Sequence, residues 1–200
     1  MDPNKAAKMF VTWKEWRASF VPQGFIPDSE VVEHLKPQKV FLQGLSKTGF
    51  PVMLLLAAKH YPAKDQQLYK KFFVHIFEKA LARYAILFIK VVAILDLNHL
   101  AYKNVDTKGF ITLFQTLQAY YPNRLEKLYM INAPWFFSSV WKLISPILEK
   151  STSEKIVMTS NEKGIKQLIE EVGTEVLPKE LGGNAQLVPI QDVQVPPLQC

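Results

Sequence analysis

Cysteine is almost missing from this chain of 200 residues: Cys200, the last residue, is the only one. A lone thiol excludes a disulfide framework and fits a reducing compartment. A prenylation box needs its cysteine four from the end, so Cys200 does not make one. Glycine is sparse as well, with eight in all, and Gly182-Gly183 is the only double. It opens no helix, so the sequence has no phosphate-cradling loop. It also has no G-x-S-x-G elbow. The four histidines, His34, His60, His75 and His99, are scattered without an i, i+4 pair or the acidic neighbours of a zinc site. Long apolar runs are lacking too. The longest, Val52–Ala58 and Ala85–Leu95 (broken by Lys90), are too short to cross a bilayer as helices. The opening "MDPNKAAKMF" has no apolar signal core. These absences lead us to expect a soluble, cytosolic protein, free to visit a membrane surface.

Charge is moderately one-sided, with 24 Lys+Arg against 18 Asp+Glu and a net charge of +6. That balance favours anionic partners. The charges are interspersed rather than gathered into a stripe, which argues against a nucleic-acid partner. What the sequence has in abundance is core material: 48% hydrophobic residues, including 13 Phe and 4 Trp, in a length suited to one domain.

Apolar residues at Ala6, Met9, Phe10, Trp13, Trp16 and Phe20 recur with helical period. "VPQGFIPDSE" reads as a linker, and Asp28 or Ser29 is placed to cap a short helix through Leu35, before Pro37. "KVFLQGL" and "PVMLLLAA", on either side of "SKTG", read as a β-hairpin. Leu68, Phe72, Ile76, Phe77, Ala80 and Tyr84 mark a helix from Asp65 to Tyr84. "KVVAILDL" has the continuous apolar character of a strand buried on both faces. After a loop, "NHLAYKNVDTKG", the stripe Phe110, Leu113, Phe114, Leu117, Tyr120 and Tyr121 predicts another helix, ended near Pro122. "KLYMI" is a strand, and Trp135–Leu148 is a helix with an unusually narrow polar strip. "KIVMTS" is a further strand. Asn161 caps a helix that closes at Gly173. The Pro-rich tail from "LGGNAQLVP" onward is expected to lie extended on the surface. Helices alternating with strands predict an α/β domain with a largely parallel sheet.

For an enzyme the chain offers little. Asp96 sits at the end of a buried strand, where α/β enzymes often keep a working carboxylate. The competing reading, a side chain that caps the following loop, is the one we favour. His75 reads as a partly buried structural histidine rather than a ligand. No catalytic residue and no metal site are expected.

The stretch "YYPNRLEKLYMINAPWFF" is more specific. With "AAKMFVTWKEWRASFVP", "VFLQGLSKTGFPV", "ILDLNHLAYKNVD", "ILEKSTSEKIVM" and "LPKELGGNAQL", in that order, it resembles the CRAL-TRIO lipid-binding domain. The branch is that of phosphatidylinositol/phosphatidylcholine transfer proteins, and the chain looks most like short plant members. The resemblance implies a mixed, largely parallel sheet as the floor of an apolar lipid pocket, with flanking helices and a gate helix. It implies an N-terminal helical remnant and linker over 1–36, the lipid-binding domain over 37–194, and a tail over 195–200. It further implies a protein that binds one lipid and transfers or presents it at membranes. The expected ligand is a phospholipid, phosphatidylinositol first, or another hydrophobic molecule, and the expected state is a monomer in passing contact with membranes.

Headgroup positions carry over as Asn123, Arg124, Thr152 and Lys155, with Asn123 where the family has a carboxylate. Leu42, Met53, Val91 and Ala93 fall where phosphatidylcholine binders place two Tyr and two small hydroxyl residues, and all four are apolar here. That argues against phosphatidylcholine. Together with Phe114 and Leu117 they are the expected pocket wall. The gate helix would present Trp135, Phe136, Val140, Trp141 and Ile144. A helix so apolar needs either deep burial in a core or two apolar partners, such as a pocket and a membrane. One family contributor lies in helices upstream of what this chain begins with, which implies a truncated form or fewer headgroup contacts. The polar loop usual before "ILDL" is also cut to "RYAILFIKVV". A competing reading is an interaction module whose pocket has degenerated.

Overall fold

In the computed structural model, which describes residues 3–83 and 90–195, five strands form one sheet in the order β1-β2-β3-β4-β5. β1 (Val40–Leu45) and β2 (Pro51–Leu56) are the predicted antiparallel hairpin. Its turn works because Gly49 takes a left-handed φ of 82° while Ser46 exchanges backbone hydrogen bonds with Phe50 and Gly49. β3 (Val91–Asp96), β4 (Leu125–Ile131) and β5 (Ile156–Thr159) then add in parallel. Parallel neighbours need crossover helices. α3 (Gln66–Ala82) and α4 (Thr107–Tyr120) supply two of them.

Side chains alternate across the pleat, so the sheet has two apolar faces. Leu42, Met53, Val91, Ala93, Leu95 and Met130 point to the larger core, shared with α3 and α4. Phe41, Val52, Leu54, Val92, Ile94 and Tyr129 point to the smaller one, which is closed by α7 (Glu162–Val172). One irregularity in β4 resets the alternation: Val91 pairs with Leu125 but Val92 with Lys127. The skipped Glu126 lets both Leu125 and Leu128 face the larger core.

The helices start where side chains can take up free backbone N–H groups. Asp65 accepts from Gln67 and Leu68 at the head of α3, and Asn161 accepts from Gly164 at the head of α7. Asp106 does the same for α4 through the Gly109 N–H at 2.7 Å, so that helix begins at Thr107 inside the stretch expected to be loop. The expected cap at Asp28 or Ser29 is not formed. Asp28–Glu30 is a 3₁₀ turn, and α2 (Val32–Leu35) starts at Val31 without a side-chain cap. α5 is shorter than expected, Phe137–Ile144, followed by a 3₁₀ turn over Ser145–Ile147. Pro146 accounts for the break, because its ring clashes with the carbonyl four residues back. α6 (Lys150–Ser153) carries no sequence signal of its own.

α1 (Pro3–Phe20) docks by its C-terminal half. Trp16 stacks on Tyr120 with ring centroids 3.9 Å apart. Arg17 pairs with Glu78 of α3, which also accepts from the Tyr121 hydroxyl at 2.5 Å. The tail is extended as expected along β1 but turns into the core beyond it. Ile190 and Val193 are buried in the larger core, and Ile190–Asp192 forms a 3₁₀ turn. Just before it, the Leu42 N–H donates to the Val188 carbonyl, and Gln43 bonds the backbone of Gln186 and Val188, so this segment lies along the open side of β1. Tyr84, most of "RYAILFIKVV" and Cys200 lie outside the described residues.

Candidate lipid pocket

Between the larger sheet face and the helices above it, the described residues enclose a cavity of about 100 Å³. Its floor is Met53 and Leu55 of β2, Ala93 and Leu95 of β3, and Leu125 and Leu128 of β4. Its roof is Phe72, Phe73, Ile76 and Phe77 of α3, with Phe110, Leu113, Phe114 and Leu117 of α4. The helical stripes read from the sequence thus become the ceiling of the space above the floor.

Of the residues expected in the pocket wall, Met53, Ala93, Phe114 and Leu117 line this cavity. Leu42 and Val91 share the same sheet face but are fully buried among their neighbours and do not reach it. None of Trp135, Phe136, Val140, Trp141 and Ile144 lines it either. α4 contacts both α3 and α5 and supplies the wall on that side, so the segment expected to gate the pocket packs behind it. Ile144 is fully buried and Val140 and Trp141 half-buried in the larger core. Phe136 stacks on Tyr102 at 4.3 Å, and Trp135 stands 83% exposed beside it.

The expected headgroup residues gather near the start of β4, and none of them lines the cavity. Lys155 donates to the Asn123 side chain at 3.0 Å and to the Leu125 carbonyl at 2.6 Å. Thr152 lies on α6, and its carbonyl accepts from the Lys155 N–H. Arg124 follows Asn123 in the chain, half-buried, and its carbonyl accepts from Val91. Asn123 has a second duty that the sequence does not announce. Its φ is 58°, a left-handed conformation that Asn tolerates better than most side chains. Burial and the neighbouring Lys90 hold the Lys155 ammonium below its usual pKa.

The polar group that does line the cavity was not foreseen from the sequence and sits where β2 leaves the sheet. Its members are Lys39, His60, Asn104 and Asp106. Lys39 Nζ donates to His60 Nδ1 at 3.0 Å, and His60 Nε2 donates to Asp106 Oδ2 at 3.1 Å. Burial, reinforced by the Lys39 charge, pushes the His60 pKa down to about 4, so the ring is neutral at pH 7. Burial likewise brings Lys39 down to about 8. Elsewhere, Asp96 accepts from the Asn98 N–H and the Asn132 amide, a loop cap. His75 bonds the Ile26 carbonyl at 2.8 Å. Among the described residues no group of three His, Cys, Asp or Glu is placed to hold a metal ion.

A two-faced, mostly parallel sheet with an apolar cavity on one side defines a cavity-bearing α/β domain. A model of the CRAL/TRIO domain matches residues 35–183, more than half of the chain, and the chain belongs to that family. The Sec14 cytosolic factor of Schizosaccharomyces pombe is 47% identical over 70 residues, which is 34% of this chain and 24% of that protein. The phosphatidylinositol transfer protein CSR1 of Eremothecium gossypii is 26% identical over 91% of this chain and 44% of its own length. The chain therefore spans less than half of either relative. The crystal structure of Sfh5 superposes with a TM-score of 0.76, covering 99% of this chain and 75% of that one. At 16% identity this last likeness speaks for the fold alone.

Proposed function

We propose that the chain binds one lipid between its sheet and α3/α4 and transfers or presents it at membranes, with phosphatidylinositol the first ligand to test. The carrying observation is the apolar cavity over the sheet in a chain of the CRAL/TRIO family. Acyl chains gain about 0.8 kcal/mol per CH₂ on leaving water, but nearly nothing on leaving a bilayer. Exchange is then close to balanced, and headgroup contacts decide selectivity. Arg124, Lys155 and the Thr152 hydroxyl suit a phosphate. Asn123 can accept from an inositol hydroxyl without charge assistance, so we expect inositol recognition weaker than with a carboxylate there.

Membrane contact has its own support. Trp135 at 83% and Tyr102 at 69% exposure, both against Phe136, form an aromatic patch of the kind that settles at a headgroup boundary. A cytosolic monomer, peripherally attached, is the matching picture. Lipid that co-purifies from cells, seen by native mass spectrometry, and phosphatidylinositol exchange between vesicles are the expected results. Their joint absence would end this reading.

One observation favours an alternative. A cavity of about 100 Å³ is below the ~150 Å³ that admits a single benzene ring, because Phe72, Phe73, Phe77 and Phe114 occupy the space above the floor. If these side chains never withdraw, the domain is an interaction module with a degenerate pocket. The same exchange assay separates the two.

A further inference from the structure

The two ends of the sheet beneath the cavity are unlike, and only one of them lends the cavity charged side chains. β2, β3 and β4 run parallel, so Arg124 and Lys155 stand where the strands enter the sheet. Lys39 stands where they leave it, with its carbonyl accepting from Leu56 N–H. Five residues of strand separate the ends, roughly 17 Å at 3.3–3.4 Å per residue. Burying a charge costs stability unless it is both paired and hydrogen-bonded.

The charges in that group are unevenly compensated. Asp106 accepts from His60 Nε2, from the Ala63 N–H at 3.0 Å and from the Gly109 N–H, and it sits at the N-terminus of the 14-residue helix α4. Three donors and the helix dipole balance its carboxylate. Lys39 is only 6% exposed, and its one hydrogen-bond partner among the described residues is a neutral imidazole. The remaining faces of its ammonium meet the Phe72 ring at 4.8 Å and the Tyr69 ring at 6.0 Å. Burial outweighs the attraction of Asp106, so the cation is still short of an anion.

We propose that Lys39, held by His60 and Asp106, is a second polar subsite that takes the carboxylate of a single-chain amphiphile such as a long-chain fatty acid, its tail running toward Leu125. One ammonium matches a carboxylate, whereas a phosphate monoester asks for more donors. The space of about 100 Å³ holds neither one chain nor two as it stands, and a single chain needs fewer of the roof side chains to move aside. The inference rests on the reading that this cavity admits an amphiphile.

The test titrates the full, delipidated chain with cis-parinaric acid and with its methyl ester, two probes of equal length that differ in head charge. The acid should bind at least tenfold more tightly than the ester, and Lys39→Met should bring the acid down to the ester's affinity. The wild type alone gives a second check. Around Lys39, His34 and His60 are held neutral by burial and Tyr69 is raised above its usual range. Acid binding should therefore weaken between pH 7.5 and 9.5, as Lys39 loses its proton near 8, while ester binding holds. Equal affinity for acid and ester, or a preference that survives both Lys39→Met and pH 9.5, overturns the subsite and leaves the lipid pocket standing. No binding of either probe, nor of phosphatidylinositol, overturns both.

Discussion

Glu78→Gln should destabilise this protein far more than a change of one atom suggests. Arg17 and Glu78 are 7% and 6% exposed, and their pairing joins α1 to α3. Arg17 Nη2 also donates to the Gly24 carbonyl at 2.8 Å, and Tyr121, which closes α4, donates its hydroxyl to Glu78. The glutamine keeps the shape but removes the negative charge, leaving a largely buried guanidinium without the Glu78 carboxylate. Breaking a buried pair in this way costs about 3–5 kcal/mol. For a chain of this size each kcal/mol lowers the melting temperature by about 2–4 °C, so the expected fall is about 6 to 20 °C by thermal circular dichroism. Arg17→Met with Glu78→Leu removes both charges and should recover most of it, because apolar replacement of a buried pair is often neutral. A single variant that melts within 2 °C of wild type, or a double variant that melts below the single, would refute the reasoning.

Three further outcomes are expected. Burial lowers the His60 pKa from 6.5 to about 4, so the unfolded chain takes up that proton first. Stability from this group is full above pH 6.5 and drains away as pH falls toward 4, a loss of about 3 kcal/mol at 1.36 kcal/mol per pKa unit. His60→Gln should flatten that part of a denaturation-versus-pH curve, and an unchanged slope would clear the histidine. Arg124→Ala with Lys155→Ala should cut vesicle-to-vesicle phosphatidylinositol exchange at least fivefold while the melting curve keeps its cooperative shape; undiminished exchange would move the headgroup site elsewhere. Trp135→Ala should weaken co-sedimentation with anionic vesicles several-fold at an unaltered melting temperature, since the ring is exposed, and equal sedimentation would count against membrane contact by this patch.

The hairpin, the buried strands and helices α3, α4 and α7 were legible because their signals are local. A period of two or 3.6, a Pro or Gly, and an Asn161 cap each act within a few residues. The two-faced sheet was legible in "KVVAILDL" for the same reason. The pole of Lys39, His60 and Asp106 was not. Its members are 21 and 46 residues apart and meet only once β1 and α4 are placed beside the same sheet end. In the sequence His60 is one scattered histidine and Asp106 part of a loop. The tail misled in the opposite direction: its prolines suggested an extended segment on the surface, while Ile190 and Val193 found room in the core. For Trp135–Leu148 the narrow polar strip is a local signal, while the packing of α5 against α4 depends on parts of the chain far apart in sequence.

The segment running beside β1 carries a consequence for self-association. A bare strand edge is a template on which another chain can be added, and sheets with two bare edges can propagate without limit. Residues 186–189 occupy one edge here. Among the described residues β5, at the other margin, has neither a strand nor a bridging segment beyond it. Growth by strand addition could then proceed once, through two β5 strands meeting about a twofold axis, and would stop at a pair. Deleting the chain from Gln186 onward would uncap the first edge and turn a self-terminating surface into a polymerising one.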